Sequence, residues 1–236
     1  MDPGSTTIQV NFSRPFPVFP LDGVVLLPHA LLRLFVFEPR YRQMVERVLD
    51  GNGQIAMAVF EGDTWRTQYH GNPPIRQAVC VGQVMQHERL PDGNFRILLQ
   101  GVCRARIKEE QGPDEERLYR TALLEPLDRG QPSEDDLFML RDSVMGLMRT
   151  EGLSELATVR AVLREVDSRE IPTRALLEVV TLSVLNEKRV QYRLLAEGDT
   201  LRRGEIIERE LSRLRGLVEG ARRQFDENAP TGVSWN

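Results

Sequence analysis

The chain has 236 residues, of which 41% are hydrophobic and 28% charged, with a formal net charge of −4. That length suits one large domain or two small ones, and the composition excludes the low-hydrophobicity, high-charge corner of disordered chains. The acidic balance excludes diffuse attraction to phosphate backbones or anionic membranes, and no run approaches the ~18 apolar residues that cross a bilayer. Residues 1–14 are polar, without the basic start and apolar stretch of a secretory leader, so a cytoplasmic location is expected. Cys80 and Cys103 each sit in an apolar, strand-like run and read as small buried hydrophobes, not as a disulfide framework.

The first half reads as strands. Phe16–Leu21, Val24–Leu27 and Leu31–Phe37 are short apolar runs punctuated by Pro15, Pro17, Pro20, Gly23 and Pro28. A helix follows, opened by Pro39, with Tyr41, Met44, Val45, Val48 and Leu49 at helical spacing until Gly51. Strands resume at Gln54–Phe60, Ala78–Arg89 and Asn94–Glu109. The turn residues Pro91, Asp92, Gly93 and Asn94 predict a hairpin between the last two. Leu118–Leu127 closes this half, and several strands in series predict a curled sheet or barrel.

The second half reads as helices. Ser133 is an N-cap candidate ahead of Leu137, Leu140, Val144, Leu147 and Met148; Ser154–Asp167 repeats the pattern. Thr173–Leu185 is apolar on most sides and predicts the core of a bundle. Val190–Ala196 and a longer helix from Thr200 to Phe225 complete it. The expected domains are a barrel with one helix over 14–128, a helical bundle over 133–226 and a flexible tail over 227–236.

Catalytic constellations are missing from the sequence. The two lysines, Lys108 and Lys188, stand in charged segments, and neither follows the glycine-rich loop that a phosphate-binding lysine needs. In such segments an ammonium stays solvated and protonated, which argues against a serine–lysine dyad. The histidines His29, His70 and His87 have no ligand-spaced partners, so no metal, no cofactor and no enzymatic activity are expected.

Short motifs in order carry a resemblance: Phe16 to Leu21, Val25 to Pro28, Leu34 to Tyr41 ending in Phe-Glu-Pro-Arg-Tyr, Val81-Gly82, the turn at Leu90 to Gly93, and Gly101 to Ile107. Pro172 to Leu185 and Leu194-Leu195 continue it. The chain resembles the amino-terminal, substrate-binding domain family of Lon proteases, and its Phe-Glu-Pro-Arg-Tyr form is most similar to stand-alone bacterial members. The resemblance implies an α+β fold, a PUA-like β-barrel followed by an α-helical bundle. It also implies a non-catalytic module that recognises unfolded or tagged polypeptides, with an ATP-dependent protease as possible partner and without ATPase or peptidase domains of its own. RNA binding is the alternative, since PUA-like folds elsewhere bind RNA; the acidic charge argues against nucleic acid.

Three candidate surfaces follow. Trp65, Tyr69 and His70 concentrate aromatic character in a loop of turn residues, which suits a polypeptide contact or a cap on the barrel. Arg104, Arg106 and Lys108 form a basic stripe on one strand face, read chiefly as a solvated face balanced by Glu88, Glu109 and Glu110. Ile207, Leu211, Leu214, Val218, Ala221 and Phe225 alternate at spacings of four and three, a coiled-coil seam for the chain's own bundle or for weak self-association as a homodimer.

Overall fold

Strand alternation turns every second side chain to one face, and where that face is apolar a sheet must curl around it or be covered. In the computed structural model, which describes residues 8–68, 71–130, 132–168 and 171–227, the sheet curls. The strands are β1 (Phe16–Leu21), β2 (Leu31–Val36), β3 (Gln54–Val59), β4 (Ala78–Arg89), β5 (Phe95–Gln111) and β6 (Thr121–Pro126), with helix α1 (Pro39–Leu49) between β2 and β3. Their order is β2-β5-β4-β3-β1-β6, and β5 also pairs with β6. That last pairing closes a ring of five strands and, among the described residues, leaves β2 bonded only to β5. The length of β5 permits this: Phe95–Gln100 runs beside β2, while Ala105–Gln111 runs beside β6. The β1–β3 pair is parallel and the other pairs are antiparallel.

The ring encloses alternate residues of each strand. Phe16 and Val18, Ala56 and Ala58, Val79 and Val81, Ala105, then Ala122 and Leu124 form one buried cluster. The alanines matter, because small inward side chains let strands on opposite walls approach closely. The predicted hairpin joins β4 and β5: Leu90 N–H donates to Asn94 O at 2.9 Å, Asp92 Oδ1 accepts from Asn94 N–H at 3.0 Å, and Gly93 takes a φ of 80°. Val24–Leu27, expected as a strand, is irregular instead. Leu26 and Leu27 are buried, and the chain beyond them bonds to β5 through His29 N–H to Gly101 O and Gly101 N–H to Ala30 O, both 2.9 Å. Gly101 is required there, since a Cβ would collide with the Leu27 carbonyl.

In α1, Pro39 opens the helix, and Tyr41, Met44, Val45 and Val48 are buried. The Tyr41 ring lies 4.4 Å from that of Phe19. Glu38 is the N-cap residue through its backbone, while its carboxylate pairs with Arg40 at 3.0 Å. This supports a structural part for the Glu38-Pro39-Arg40 sequence.

The helices are α2 (Phe138–Met148), α3 (Ala157–Ser168), α4 (Thr173–Ser183), α5 (Lys188–Leu195) and α6 (Thr200–Glu227). Two compact units emerge: the chain up to Gly130 together with Glu187–Asp199, and the stretch up to Asn186 together with the chain from Thr200 onward. The α5 segment, expected in the bundle, therefore belongs with the barrel. Polar contacts explain why: Ala78 N–H donates to the Tyr192 hydroxyl at 3.1 Å, Arg104 Nε donates to Leu194 O at 3.2 Å, and Arg129 N–H donates to Gly198 O at 3.0 Å.

In the helical unit, Ser133 Oγ accepts from Asp136 N–H at 3.2 Å while the Asp136 carboxylate accepts from Ser133 N–H at 2.9 Å, a reciprocal cap. The Ser133 hydroxyl, which donates to the Asp136 carboxylate at 2.8 Å, and then the Ser133 N–H hold the Asp136 carboxyl below its ordinary pKa. The regular helix begins only at Phe138, after a turn. Leu137, Met148, Leu153, Leu176 and Leu177 are fully buried, as is Leu211 of α6, and Leu140 fills the space that Gly204 leaves open. Each such side chain contributes about 1.5–3 kcal/mol by leaving water. The α+β architecture, a barrel-like ring followed in sequence by helices, is as expected. The tail expected over 227–236 lies outside the described residues beyond Glu227.

Candidate functional site

An edge strand presents a row of unpaired backbone groups, and proteins usually blunt it with charges, prolines or bulges. Strand β2 has none of these beyond Arg33: its sequence is Leu-Leu-Arg-Leu-Phe-Val, and its register with β5 runs without a shift from Leu31↔Gln100 to Val36↔Phe95. Its apolar side chains occupy both faces. Val36 is buried and Leu32 and Leu34 are half-buried, whereas Leu31 and Phe35 are 64% and 53% exposed. Phe37, just beyond, is 59% exposed, and its ring lies 6.0 Å from that of Phe35.

The pairing carries this face across three strands. Arg33 stands opposite Leu98, which stands opposite Gln86; Phe35 stands opposite Arg96, which stands opposite Glu88. Over these rows lies a groove of about 620 Å³, bordered also by Leu34, His87 and Ile97. Its floor is apolar at Phe35 and Leu98. Arg96 is neutralised by Glu88 at 3.2 Å, while Arg33 has no ion pair among the described residues. The lining contains no serine, threonine, cysteine or lysine, and its charged side chains, Arg33, Arg96 and Glu88, leave one surplus positive charge.

The sequence-derived candidates fall elsewhere. Trp65 is half-buried in a 3₁₀ turn (Thr64–Arg66), its ring stacked 5.0 Å from Phe60 at 5° and packed against the barrel core. It caps the barrel. Tyr69 and His70 lie outside the described residues. The basic stripe is interrupted: Arg104 is only 3% exposed, its guanidinium turned to Leu194 O and, at 3.8 Å, to Asp128. The expectation of a solvated face fails there because α5 covers that part of β5, leaving Arg106 half-buried and Lys108 exposed. On α6, Ile207 and Leu211 are buried inside their own unit, and Leu214 and Val218 are half-buried. Val218 lies against Gly152, and Arg222 binds Glu155 and, at 3.7 Å, Glu151, so the first part of this seam packs within the helical unit, while Ala221 is exposed.

Cys80 is fully buried. Burial is also the main reason that the Cys103 thiol is pushed up to about 11, with the Asp128 charge adding to it and Arg104 opposing. The Cys103 sulfur is therefore not a thiolate near neutrality. Among the described residues no group of three or more His, Cys, Asp or Glu side chains could hold a metal ion. No described helix is long and apolar enough to cross a membrane.

The model of a family described as the ATP-dependent protease La (LON) substrate-binding domain matches residues 15–213. The chain belongs to this family. Among Lon proteases, that of Desulfovibrio desulfuricans is 27% identical over 215 residues, covering 89% of this chain and 23% of the protease. That of Azorhizobium caulinodans is 26% identical over 160 residues, covering 66% of this chain and 16% of the protease. The chain thus spans about a quarter or less of these relatives. In fold it is similar to the N-terminal domain of Mycobacterium avium complex Lon protease, with a TM-score of 0.64 at 14% identity over 84% of this chain and 98% of that one.

Within this Lon-domain fold, the exposed residues of β2 escaped the sequence reading. The run from Leu31 to Phe37 is apolar at almost every position, as a strand buried on both faces would be, so periodicity alone does not separate its exposed side chains from its buried ones. The one available signal was its place between Pro28 and Pro39, which shortens it to an edge strand.

Proposed function

We propose that this chain is a non-catalytic polypeptide-binding module whose contact surface is the groove beside β2. The observation that carries the reading is the concentration of exposed apolar side chains along one edge strand and just beyond it, Leu31, Phe35 and then Phe37, next to a groove floored by Phe35 and Leu98. Membership of a substrate-binding domain family supports polypeptide as the ligand. The clients are unfolded or tagged polypeptides, which expose the apolar segments that such a groove accepts, and the partner is an ATP-dependent protease to which they pass. The reaction itself is left to that partner. RNA binding is disfavoured, since burial of Arg104 breaks the one basic stripe that could track a phosphate backbone.

The test is fluorescence anisotropy of a labelled, permanently unfolded casein-like protein. Phe35→Ser combined with Leu98→Ser weakens binding by about 1–3 kcal/mol, as loss of an interface anchor does. The circular dichroism spectrum stays unchanged. Equal affinity in a folded double variant contradicts the assignment. The wild type hydrolyses neither ATP nor casein; turnover abolished by Lys108→Ala or Lys188→Ala would overturn the non-catalytic reading.

A further inference from the structure

We infer that the ligand is bound as an added β-strand on the free edge of β2, and that it is an extended segment with apolar residues at alternate positions and an acidic residue among them. This rests on the groove being the polypeptide-binding surface and specifies how the polypeptide lies in it.

The edge itself supplies the main-chain part. Strand β2 pairs with β5 on one side only, and among the described residues no strand pairs with its other side. No proline, glycine or bulge interrupts Leu31–Val36, so the outward backbone donors and acceptors form an unbroken ladder six residues long. A ladder of that kind accepts a chain of any sequence through its backbone, while alternate side chains are read by the flanking face.

The flanking face supplies the selectivity. On β2 the outer row is Leu31, Arg33 and Phe35, continued by Phe37. A strand laid beside β2 places its own row, two residues apart, next to these: apolar side chains beside Leu31 and Phe35, and the intervening one beside Arg33. The neighbouring charges decide which side chain suits that middle position. Arg96 is neutralised by Glu88 across the hairpin, whereas Arg33 has no ion pair among the described residues. An acidic side chain there gains an ion pair, and a lysine or arginine meets like charge. A second copy of this chain fits less well as the occupant, because β2 against β2 in register about Arg33 sets two guanidiniums opposite each other.

The experiment uses the full chain and fluorescein-labelled peptides about nine residues long. One alternates valine with polar residues and carries a central glutamate; the others are its composition-matched scramble, its glutamate-to-lysine form and two forms N-methylated at alternate residues, one along each edge. N-methylation removes backbone donors without touching any side chain and requires no change to the protein. The alternating peptide binds best, and N-methylation along the edge that meets β2 weakens it about tenfold or more, the sum of several lost hydrogen bonds. Methylation along the opposite edge has little effect. Lysine for glutamate weakens binding about three- to tenfold, and Arg33→Glu reverses that preference. Equal binding of the scramble and of both methylated forms, still abolished by Phe35→Ser, overturns strand addition while leaving the groove as the site. Failure of every peptide and of unfolded casein to bind overturns both readings. Concentration-dependent dimerisation of the wild type that the peptide does not displace assigns the edge to a second copy and overturns the peptide as its occupant.

Discussion

The barrel unit and the helical unit bury their apolar residues by different logic, and the difference locates function. In the barrel, residues distant in sequence meet in register, from Phe16↔Ala122 to Val36↔Phe95, and five strands close on one another. Closure leaves β2 over. Its exposed apolar residues are gathered on one edge beside a groove. Among the described residues the helical unit shows no such leftover element: its exposed large apolar residues there are the adjacent Phe138 and Met139 in the first turn of α2 and Leu201 and Leu217, far apart on α6. A ring that closes without one of its strands leaves an open edge, whereas a bundle can disperse its surplus residues in small groups.

The sharpest way to break this comparison is to damage each core. Leu99→Ala in β5 and Leu211→Ala in α6, both at fully buried positions, each cost about 2–5 kcal/mol by denaturant unfolding. Hydrogen exchange then reports where the loss falls: each variant loses protection first in its own unit. Loss spread evenly over both units in either variant contradicts their description as separate compact bodies.

Phe35→Ser sharpens the comparison from the other side, because an exposed residue contributes little to its own unit. Its effect on unfolding stays within about 0.5 kcal/mol while client binding falls. Trp65→Ala does the reverse, since its ring stacks on Phe60: it destabilises the barrel by about 1–3 kcal/mol and leaves client affinity intact.

A smaller effect is expected at the start of α4, where the Glu134 carboxylate accepts hydrogen bonds from the Thr173 hydroxyl at 2.6 Å and from its backbone N–H at 3.0 Å. The Thr173 hydroxyl is the main cause that lowers the Glu134 pKa below its ordinary value. A lowered folded pKa favours the folded state at neutral pH, and the gain is lost as pH falls through that folded value. Glu134→Gln therefore lowers stability by about 0.5–1 kcal/mol at pH 7, a typical cap contribution, and the difference between variant and wild type vanishes in acid. A difference independent of pH assigns the effect to packing instead. Smallest in consequence is Cys103: with its thiol held near 11, alkylation by iodoacetamide stays slow up to pH 9, whereas the unfolded chain reacts readily.

Much of the fold was legible because local chemistry and tertiary structure agree. Pro39 and Gly51 bracket α1, the Pro91 to Asn94 turn makes its hairpin, and the alternation from Phe95 to Gly101 gives one buried face. Val24–Leu27 misled because an apolar run covering a barrel looks like one inside a sheet. Segment α5 misled because helical periodicity says which side chains are apolar and not which core receives them. Arg104 misled for the same reason: its burial depends on Leu194, ninety residues away, which strand alternation cannot register. The site was the least legible part, since what distinguishes Phe35 from a core phenylalanine is the missing neighbour of β2, a property of topology alone.

The central claim, that polypeptide binds along β2 in the barrel unit, is tested most directly by site-specific photocrosslinking to an unfolded client. A photoreactive side chain is placed in turn at positions 35, 65 and 217, and the crosslinked client is quantified. Strong crosslinking is expected from position 35, competed by unlabelled client, with little from 65 or 217. Strong crosslinking from 65 or 217 with none from 35, in a chain that still binds client, contradicts it.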